Sequence, residues 1–340
     1  MNKLFKGLLI KSLAAYAHAN LALWAQGFLG YVGIGKETVW GTPVAASDYF
    51  EAMSESLSET IDRFPTRNIV GGFHEPDDYA GARRAGGDLV MFGHPVSIGH
   101  LLKAAMNTVS GSAVVSGFLH TSRFISTKSE FADGVPTQPY TLEMGRDVGS
   151  AHQFAGCLLN RLQLSLTPNQ DLRVNASWIS KSGTLIARTT PTFPGSPTDP
   201  FGFDTASISI GGTATARVEA FQCTVNNNLN GILALNASNT LARVRRTAPQ
   251  EVRISGTLDF IDVAEFLDFK NQTERQFRVN VTKANSFNLL IDAPRFVYTT
   301  FPVGQPGRDR LTVGFDGVAR YSTTSGVAID FGLTTTKSNY

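Results

Sequence analysis

Charged residues are scarce in this sequence. Asp, Glu, Lys and Arg make up 17% of the 340 residues, and the formal net charge is +2. Because surfaces with few charges tend to be covered by partners, we expect much of the surface to be interface. A chain so close to neutral offers no basic stripe for a phosphate backbone, which argues against sequence-specific DNA binding.

Cysteine is also rare. The two cysteines, Cys157 and Cys223, lie one in each half of the chain, and both have strand-like neighbours. A small apolar side chain in such a setting is usually buried, so we predict two free thiols rather than a disulfide.

Motifs for catalysis or metal binding are missing. None of the six histidines has a cysteine or carboxylate at a metal-ligand spacing, and no Gly-x-Ser-x-Gly is present. The run from Gly33 to Thr38 lacks the spacing between glycines that a phosphate loop needs. We therefore predict a protein that is not an enzyme and has no cofactor, metal or catalytic site.

The first 26 residues form a separate segment. Lys3 and Lys6 precede an apolar run, as in a signal peptide, but Lys11 interrupts that run. The segment is also too short and broken to span a membrane. We predict an N-terminal extension over residues 1–26, either a helix or a signal-like segment.

Strand patterns dominate the remainder. The chain contains 32 glycines and 15 prolines, and the leucines in 161–166 alternate with polar residues. Helix patterns cover only 96–106 and 263–270, with Asp262 as an N-cap candidate for the second. We predict a mainly β fold.

The order of patterns occurs twice. A strand around Phe50, a polar loop with Arg83 and Arg84, a strand and a helix are followed by the same series around Phe221. Such self-similarity indicates two copies of one domain. The predicted division is a first domain over 27–186, a proline-rich linker over 187–203 and a second domain over 204–340.

The residues from Gly27 to Val44 resemble the opening of tail tube proteins from long-tailed bacteriophages. The most specific part is Glu37-Thr38 followed by Trp40-Gly41-Thr42-Pro43, and the resemblance extends through both copies. It implies two tandem β-sandwich or barrel-like tube domains, each with a flanking α-helix. It also implies rings that stack into a tube through which viral DNA leaves the capsid.

The resemblance further implies the partners. The chain would bind itself, in rings of three chains with pseudo-sixfold symmetry because each chain carries two copies. It would also contact tape-measure and tail-terminator or tip proteins, and double-stranded DNA would pass through without sequence-specific contact. The location would be the virion tail, after synthesis in the host cytoplasm, with no membrane partner.

Two polar loops, 62–84 and 231–250, are the candidates for contact with the next ring, since both copies carry one at the same position. The charged residues predicted to contact that ring are Asp62, Arg63, Arg67, Asp77, Asp78, Arg83, Arg84, Arg243, Arg245 and Arg246. A DNA channel should present acidic and neutral side chains, because each exposed lysine or arginine would hold phosphate. The channel candidates are Glu51, Glu55 and Glu59, which even spacing would place on one strand face, with Asn226 and Asn228 in the second copy.

Two alternatives share the strand-rich pattern. An outer-membrane β-barrel would combine it with a signal-like start, but would not need helices or a proline-rich connector. A secreted β-sandwich that binds or hydrolyses carbohydrate would need aromatic side chains or paired carboxylates that converge in one groove.

Overall fold

The computed structural model describes residues 27–66, 72, 74, 77–114, 117–124, 135–147, 149–194, 199–283, 287–305, 307–308 and 310–340. This part of the chain is mainly β, with antiparallel strand pairings and two α-helices. The prediction of a mainly β fold is confirmed. The predicted N-terminal extension over 1–26 lies outside the described residues.

The described part of the first half holds eleven strands and one α-helix. They are β1 (Gly30–Lys36), β2 (Asp48–Phe50), β3 (Ala52–Glu55), β4 (Ser58–Pro65), β5 (Asp78–Phe92), α1 (Ile98–Met106), β6 (Asn107–Val114), β7 (Gly117–Phe124), β8 (Tyr140–Arg146), β9 (Ala151–Leu166), β10 (Arg173–Ser180) and β11 (Ser182–Ile186). The helix and the strand predicted over 158–166 are confirmed.

The described part of the second half contains a similar series of strands and one α-helix. Its elements are β12 (Ala206–Ile210), β13 (Thr213–Thr215), β14 (Val218–Asn226), β15 (Leu229–Ile232), β16 (Arg243–Arg246), β17 (Glu251–Asp259), α2 (Ala264–Asn271), β18 (Arg275–Lys283), β19 (Phe287–Thr300), β20 (Thr312–Ala319) and β21 (Asp330–Thr335). The predicted second helix is present, and the Asp262 carboxylate accepts a hydrogen bond from the Ala264 amide at its start (2.8 Å).

The two halves pair their strands in the same order. In the first half the order is β2-β1-β8-β9-β10-β5-β4, and in the second it is β13-β12-β18-β19-β20-β17-β14. In addition, β11 pairs with β9 as β21 pairs with β19. The repeat in the sequence therefore corresponds to a repeated topology, to which the first half adds the β6–β7 hairpin. Independent folding of 27–186 and 204–340, and a linker role for 187–203, stay predictions.

Strand pairing also joins the halves to each other. β14 of the second half pairs with β9 of the first, and β21 pairs with β7. The main hydrophobic core is one cluster that draws on both halves, from Phe50 and Leu89 to Phe296 and Phe331. Each half therefore stabilises the other through main-chain hydrogen bonds and shared apolar packing.

β9 is the strand on which these sheets meet. Its first part pairs with β8 and β11, and its second part pairs with β10 and β14. Leu162, Leu164 and Leu166 are buried, as their alternation with polar residues predicts. Burial of each leucine side chain stabilises the fold by about 1.5–3 kcal/mol.

The two helices occupy the same place in the repeat but differ in burial. α1 is buried along nearly its whole length and packs on β9, β7 and β6. α2 lies on β19 with Leu267 largely exposed, and its buried side chains are the acidic Glu265 and Asp268. Arg217 and Arg275 pair with these two carboxylates, because a buried carboxylate needs a charged or hydrogen-bonding partner.

Candidate functional site

The predicted loop over 62–84 is mostly a β-hairpin. β4 continues to Pro65 and β5 begins at Asp78, so only residues 66–77 connect the strands. The prediction of a loop is wrong. A two-stranded ribbon that is exposed to solvent on both faces lacks the apolar alternation by which a half-buried strand is recognised in a sequence. We call residues 58–65 and 78–84 the first arm.

Three ion pairs cross the first arm. Each joins residues that were expected to reach another ring or to line a channel. The contacts are Arg63 to Asp78 (3.0 Å), Arg84 to Asp62 (3.4 Å) and Arg83 to Glu59 (3.5 Å). Such exposed pairs contribute at most about 1 kcal/mol each. Their charges are matched within the chain.

Asp77 lies where the paired part of this arm ends. The Asp77 carbonyl accepts a hydrogen bond from the Thr66 amide (3.1 Å), which closes the paired part of the hairpin. Arg67 lies outside the described residues.

Apolar side chains lie exposed on the first arm. Phe64 pairs in register with Tyr79, and their ring centroids are 5.6 Å apart. Phe64 is 48% exposed, Tyr79 is 60% exposed and Ile61 is 42% exposed. Two aromatic rings are therefore held together on a solvent-exposed hairpin.

The predicted loop over 231–250 also contains paired strands. β15 pairs with β16 from Leu229–Arg246 to Ile232–Arg243. We call residues 229–246 the second arm. In the repeat it lies where the first arm lies, between the two strands that precede the helix.

Unlike the first arm, the second arm is folded onto the other half of the same chain. It contributes to a separate apolar cluster, whose buried members are Trp40, Val135, Leu158, Leu229, Leu241 and Val244. The Arg83 amide also donates to the carbonyl of Asn239 at 2.7 Å. The apolar face of the second arm, with Leu229, Leu241 and Val244, is therefore covered by the first half.

The three arginines of the second arm have different surroundings. Arg243 is exposed and Arg245 is half-buried. Arg246 donates to the Asn227 carbonyl (2.9 Å) and lies 4.7 Å from the centroid of the Phe124 ring. Burial lowers the pKa of Arg246 to about 10. Arg246 is thus engaged within the chain, and a contact of these arginines with another ring stays a prediction.

Asn227 lies fully buried at the root of the second arm. Its side-chain amide donates to the carbonyls of Ala105 (3.1 Å) and Leu159 (2.9 Å). Its side-chain oxygen accepts from Arg246 (3.0 Å) and Gln250 (2.9 Å). One side chain therefore connects α1, β9, the end of β16 and Gln250, which precedes β17.

The joint between the halves is an antiparallel ladder. Residues 221–226 of β14 pair with 166–161 of β9, and Leu164 lies opposite Cys223. Just beyond the ladder, Asn160 accepts hydrogen bonds from the Asn227 amide (2.7 Å) and the Leu229 amide (2.8 Å). We call this ladder the internal joint.

Matching hydrogen bonds fix which residues correspond in the two halves. The Leu172 carbonyl accepts from the Gly93 amide (2.7 Å), and the Leu311 carbonyl accepts from the Phe260 amide (2.9 Å). Counting back along the chain from this pair, residues 300–305 correspond to 161–166. Thr299 then corresponds to Asn160.

Both partners of the internal joint have an unpaired counterpart among the described residues. Residues 58–60 at the start of β4 correspond to 224–226 of β14, yet the only described pairing of β4 is with β5. Residues 297–300 of β19 pair with β20 on one side alone, and 301–305 have no regular secondary structure. Val303 is 43% exposed, whereas its counterpart Leu164 is 1% exposed.

The three predicted channel glutamates do not lie on one strand. A bulge at Met53 and a break between Glu55 and Ser58 separate β3 from β4, so even spacing fails as evidence for a shared face. The break is held by the Glu55 carboxylate, which accepts from the Leu57 amide (3.0 Å). Glu55 also holds Arg146 at 2.8 Å, an ion pair that leaves the carboxylate partly buried.

The other channel candidates also have partners. Glu51 lies 3.4 Å from His94. Asn226 accepts from the Asn228 amide (3.0 Å), and Asn228 donates to the Pro249 carbonyl (2.7 Å) in a left-handed conformation. A channel position for these five residues stays a prediction.

Comparison with known proteins identifies the family. The family model described as phage tail tube protein matches residues 27–334. The chain belongs to this family. Membership makes this tail tube protein a structural component of a virion tail. No curated protein matches the sequence significantly.

The described residues of this tail tube protein hold no cluster of three or more histidine, cysteine or acidic side chains that could bind a metal. Nor does this part of the chain contain a helix long and apolar enough to cross a membrane. Cys157 and Cys223 are buried free thiols, as predicted, and burial raises the pKa of each to about 12.

Sequence reasoning missed two features of the site. The aromatic pair Phe64–Tyr79 is separated by a long connection in the chain, so only strand register brings the rings together. Asn227 stands within an Asn-Asn-Asn run whose members look alike, and only burial distinguishes it.

Replacement of Asn227 by alanine should weaken the internal joint. It removes four hydrogen bonds and leaves buried partners unsatisfied, so we expect the free energy of unfolding to fall by about 3 kcal/mol. Urea denaturation measures the loss. Asn236→Ala, on the exposed part of the second arm, is the matched control. Equal stability of the two variants would contradict the role assigned to Asn227.

Proposed function

We propose that this protein assembles into rings that stack into the phage tail tube and conduct DNA during ejection. The observation that carries the proposal is the internal joint, which is made once within the chain while its counterparts lie unpaired at β4 and at the end of β19. An unpaired strand edge recruits another strand.

The contact between chains would repeat the contact within the chain. Residues 58–60 of one chain would pair with residues 300–302 of its neighbour, as 224–226 pair with 161–163 in the internal joint. Such a contact is head-to-tail, because the two edges are different surfaces. Head-to-tail contacts close into a ring when the rotation per subunit allows it.

Two joints per chain relate the number of chains in a ring to its number of tube domains. The internal joint and the joint between chains would alternate around the ring, so three chains would supply six tube domains. Pseudo-sixfold symmetry then arises from threefold symmetry and the repeat.

The bore of this ring would carry DNA without holding it. We assign acidic and neutral side chains to the wall, with Glu51, Glu55, Glu59, Asn226 and Asn228 as candidates, because lysine or arginine there would bind phosphate through counterion release. The ion pairs of Glu55 and Glu59 with arginine support a wall of low net charge. A reconstruction of the assembled tube with lysine and arginine dominating the bore would contradict this assignment.

The remaining partners follow from the family. Tape-measure protein would fill the tube before DNA enters it, and tail-terminator and tip proteins would cap its ends. The protein would be made in the host cytoplasm and would end in the virion tail.

Purified protein should form rings of three chains, and Val303→Lys should prevent this. The substitution introduces a charge at the counterpart of buried Leu164, so we expect ring formation to weaken at least about tenfold. Native mass spectrometry counts the chains, and negative-stain electron microscopy shows the rings.

Val114→Lys is the matched control, since Val114 is 40% exposed at the end of β6 and away from both edges. Neither variant should change the urea midpoint of the monomer. Rings of six chains, or rings of normal stability from Val303→Lys, would contradict the proposed joint.

We also propose that the tip of the first arm contacts the next ring. Replacement of residues 67–76 by a short Gly-Asn-Gly turn should leave the β core folded, because connection length costs little stability. Rings should then form but remain unstacked in electron micrographs. Long tubes from this variant would show that the tip is only a surface connection.

A further inference from the structure

We propose that the first arm of each chain lies across the second half of its neighbour within the same ring. The inference rests on the proposed ring and adds the partner surface of the arm. Its basis is the second arm, which makes the equivalent contact inside the chain, where it lies across the first half next to the internal joint.

The two arms match in topology and differ in what covers them. The first arm consists of the adjoining parts of β4 and β5, and the second arm lies between β14 and β17. In each half the second of these strands precedes the helix. On the second arm the apolar residues Leu229 and Val244 are 7% and 0% exposed. On the first arm Phe64 and Tyr79 are about half exposed. The first arm therefore has the apolar surface of a docked arm without the surface that receives it.

We call the surface of the first half that the second arm covers its seat. The corresponding surface of the second half is where the first arm of a neighbour would lie. The second arm begins next to Asn160, which accepts the amide of Leu229 in the arm and that of Asn227 just before it, and its apolar residues pack with Leu158 and Ile179. The counterparts in the second half are Thr299, Val297 and Val318, since Leu158 pairs with Ile179 as Val297 pairs with Val318.

The rim of this counterpart is accessible in the single chain, while Val297, the counterpart of Leu158, is 1% exposed. Thr299 is exposed, whereas Asn160 is half-buried under the second arm. Tyr321, which follows β20, is 45% exposed and offers an aromatic ring at the edge of the seat. An aromatic pair on the arm and an exposed tyrosine at the seat are typical of a contact between copies of a chain.

The charges of the first arm favour a contact held by apolar side chains over an electrostatic contact. Arg63, Arg83 and Arg84 are each paired with a carboxylate of their own arm. Matched charges leave the apolar side chains as the main source of binding energy. We therefore expect the contact between the first arm and the seat to depend weakly on salt.

Cross-linking tests the placement directly. Phe64→Cys on the arm and Val318→Cys at the seat are combined in one chain, and assembled rings are treated with a short bifunctional maleimide. We expect covalent dimers and trimers on denaturing gels. The native thiols should not react, because burial raises the pKa of Cys157 and Cys223 to about 12.

The matched control combines Val114→Cys with Val318→Cys, which places the partner thiol on the β6–β7 hairpin instead of the arm. This pair should give no products between chains. Absence of cross-links from the arm pair, in rings that are intact by electron microscopy, would overturn the inference.

A second variant distinguishes a contact within the ring from a contact between stacked rings. Phe64→Ser with Tyr79→Ser should weaken ring formation at least about tenfold while the monomer keeps its urea midpoint, because both side chains are exposed. Stable rings that fail to stack would assign the Phe64–Tyr79 pair to the next ring and overturn the inference, and so would normal tubes. If the unmodified protein forms no rings at all, the proposed function itself fails and this inference fails with it.

Discussion

Main-chain hydrogen bonding at strand edges is the constraint on which this structure depends. A strand in the middle of a sheet satisfies its amides and carbonyls on both sides, whereas an edge strand satisfies only one side. In this chain β14 meets that requirement by pairing with β9 of the other half. The same requirement is unmet among the described residues at β4 and at the end of β19. Assembly would satisfy it with a second copy.

Polar groups at the joint determine where the ladder ends and the arm begins. Asn227 stops the ladder by turning its amide groups to α1 and β9, and Asn228 adopts a left-handed conformation next to it. The chain then turns into β15, which packs Leu229 on the first half. A buried asparagine with all its hydrogen bonds satisfied specifies one geometry, because any other arrangement would leave polar groups unpaired in an apolar setting.

Charges contribute less to this arrangement than their positions in the sequence suggest. Most charged residues of the first arm pair with each other across the hairpin, and Arg246 of the second arm is enclosed. A tube protein needs contacts that are strong between copies and weak towards DNA. Matched ion pairs within the chain and the apolar contacts proposed between chains would meet both needs.

The sequence alone determined the fold class, the repeat and the family resemblance, because these depend on alternation and order along the chain. The alternate spacing of Leu162, Leu164 and Leu166 indicates a half-buried strand. The family resemblance depends on the residues from Glu37 to Pro43. Only the tertiary structure decided that 62–84 is a hairpin, that Met53 lies in a bulge, and that Phe64 meets Tyr79. The reason is physical: strand pairing connects residues far apart in the chain, and a one-residue shift of register moves a side chain to the opposite face. Two arms with similar sequence patterns could therefore be distinguished only by what each one touches.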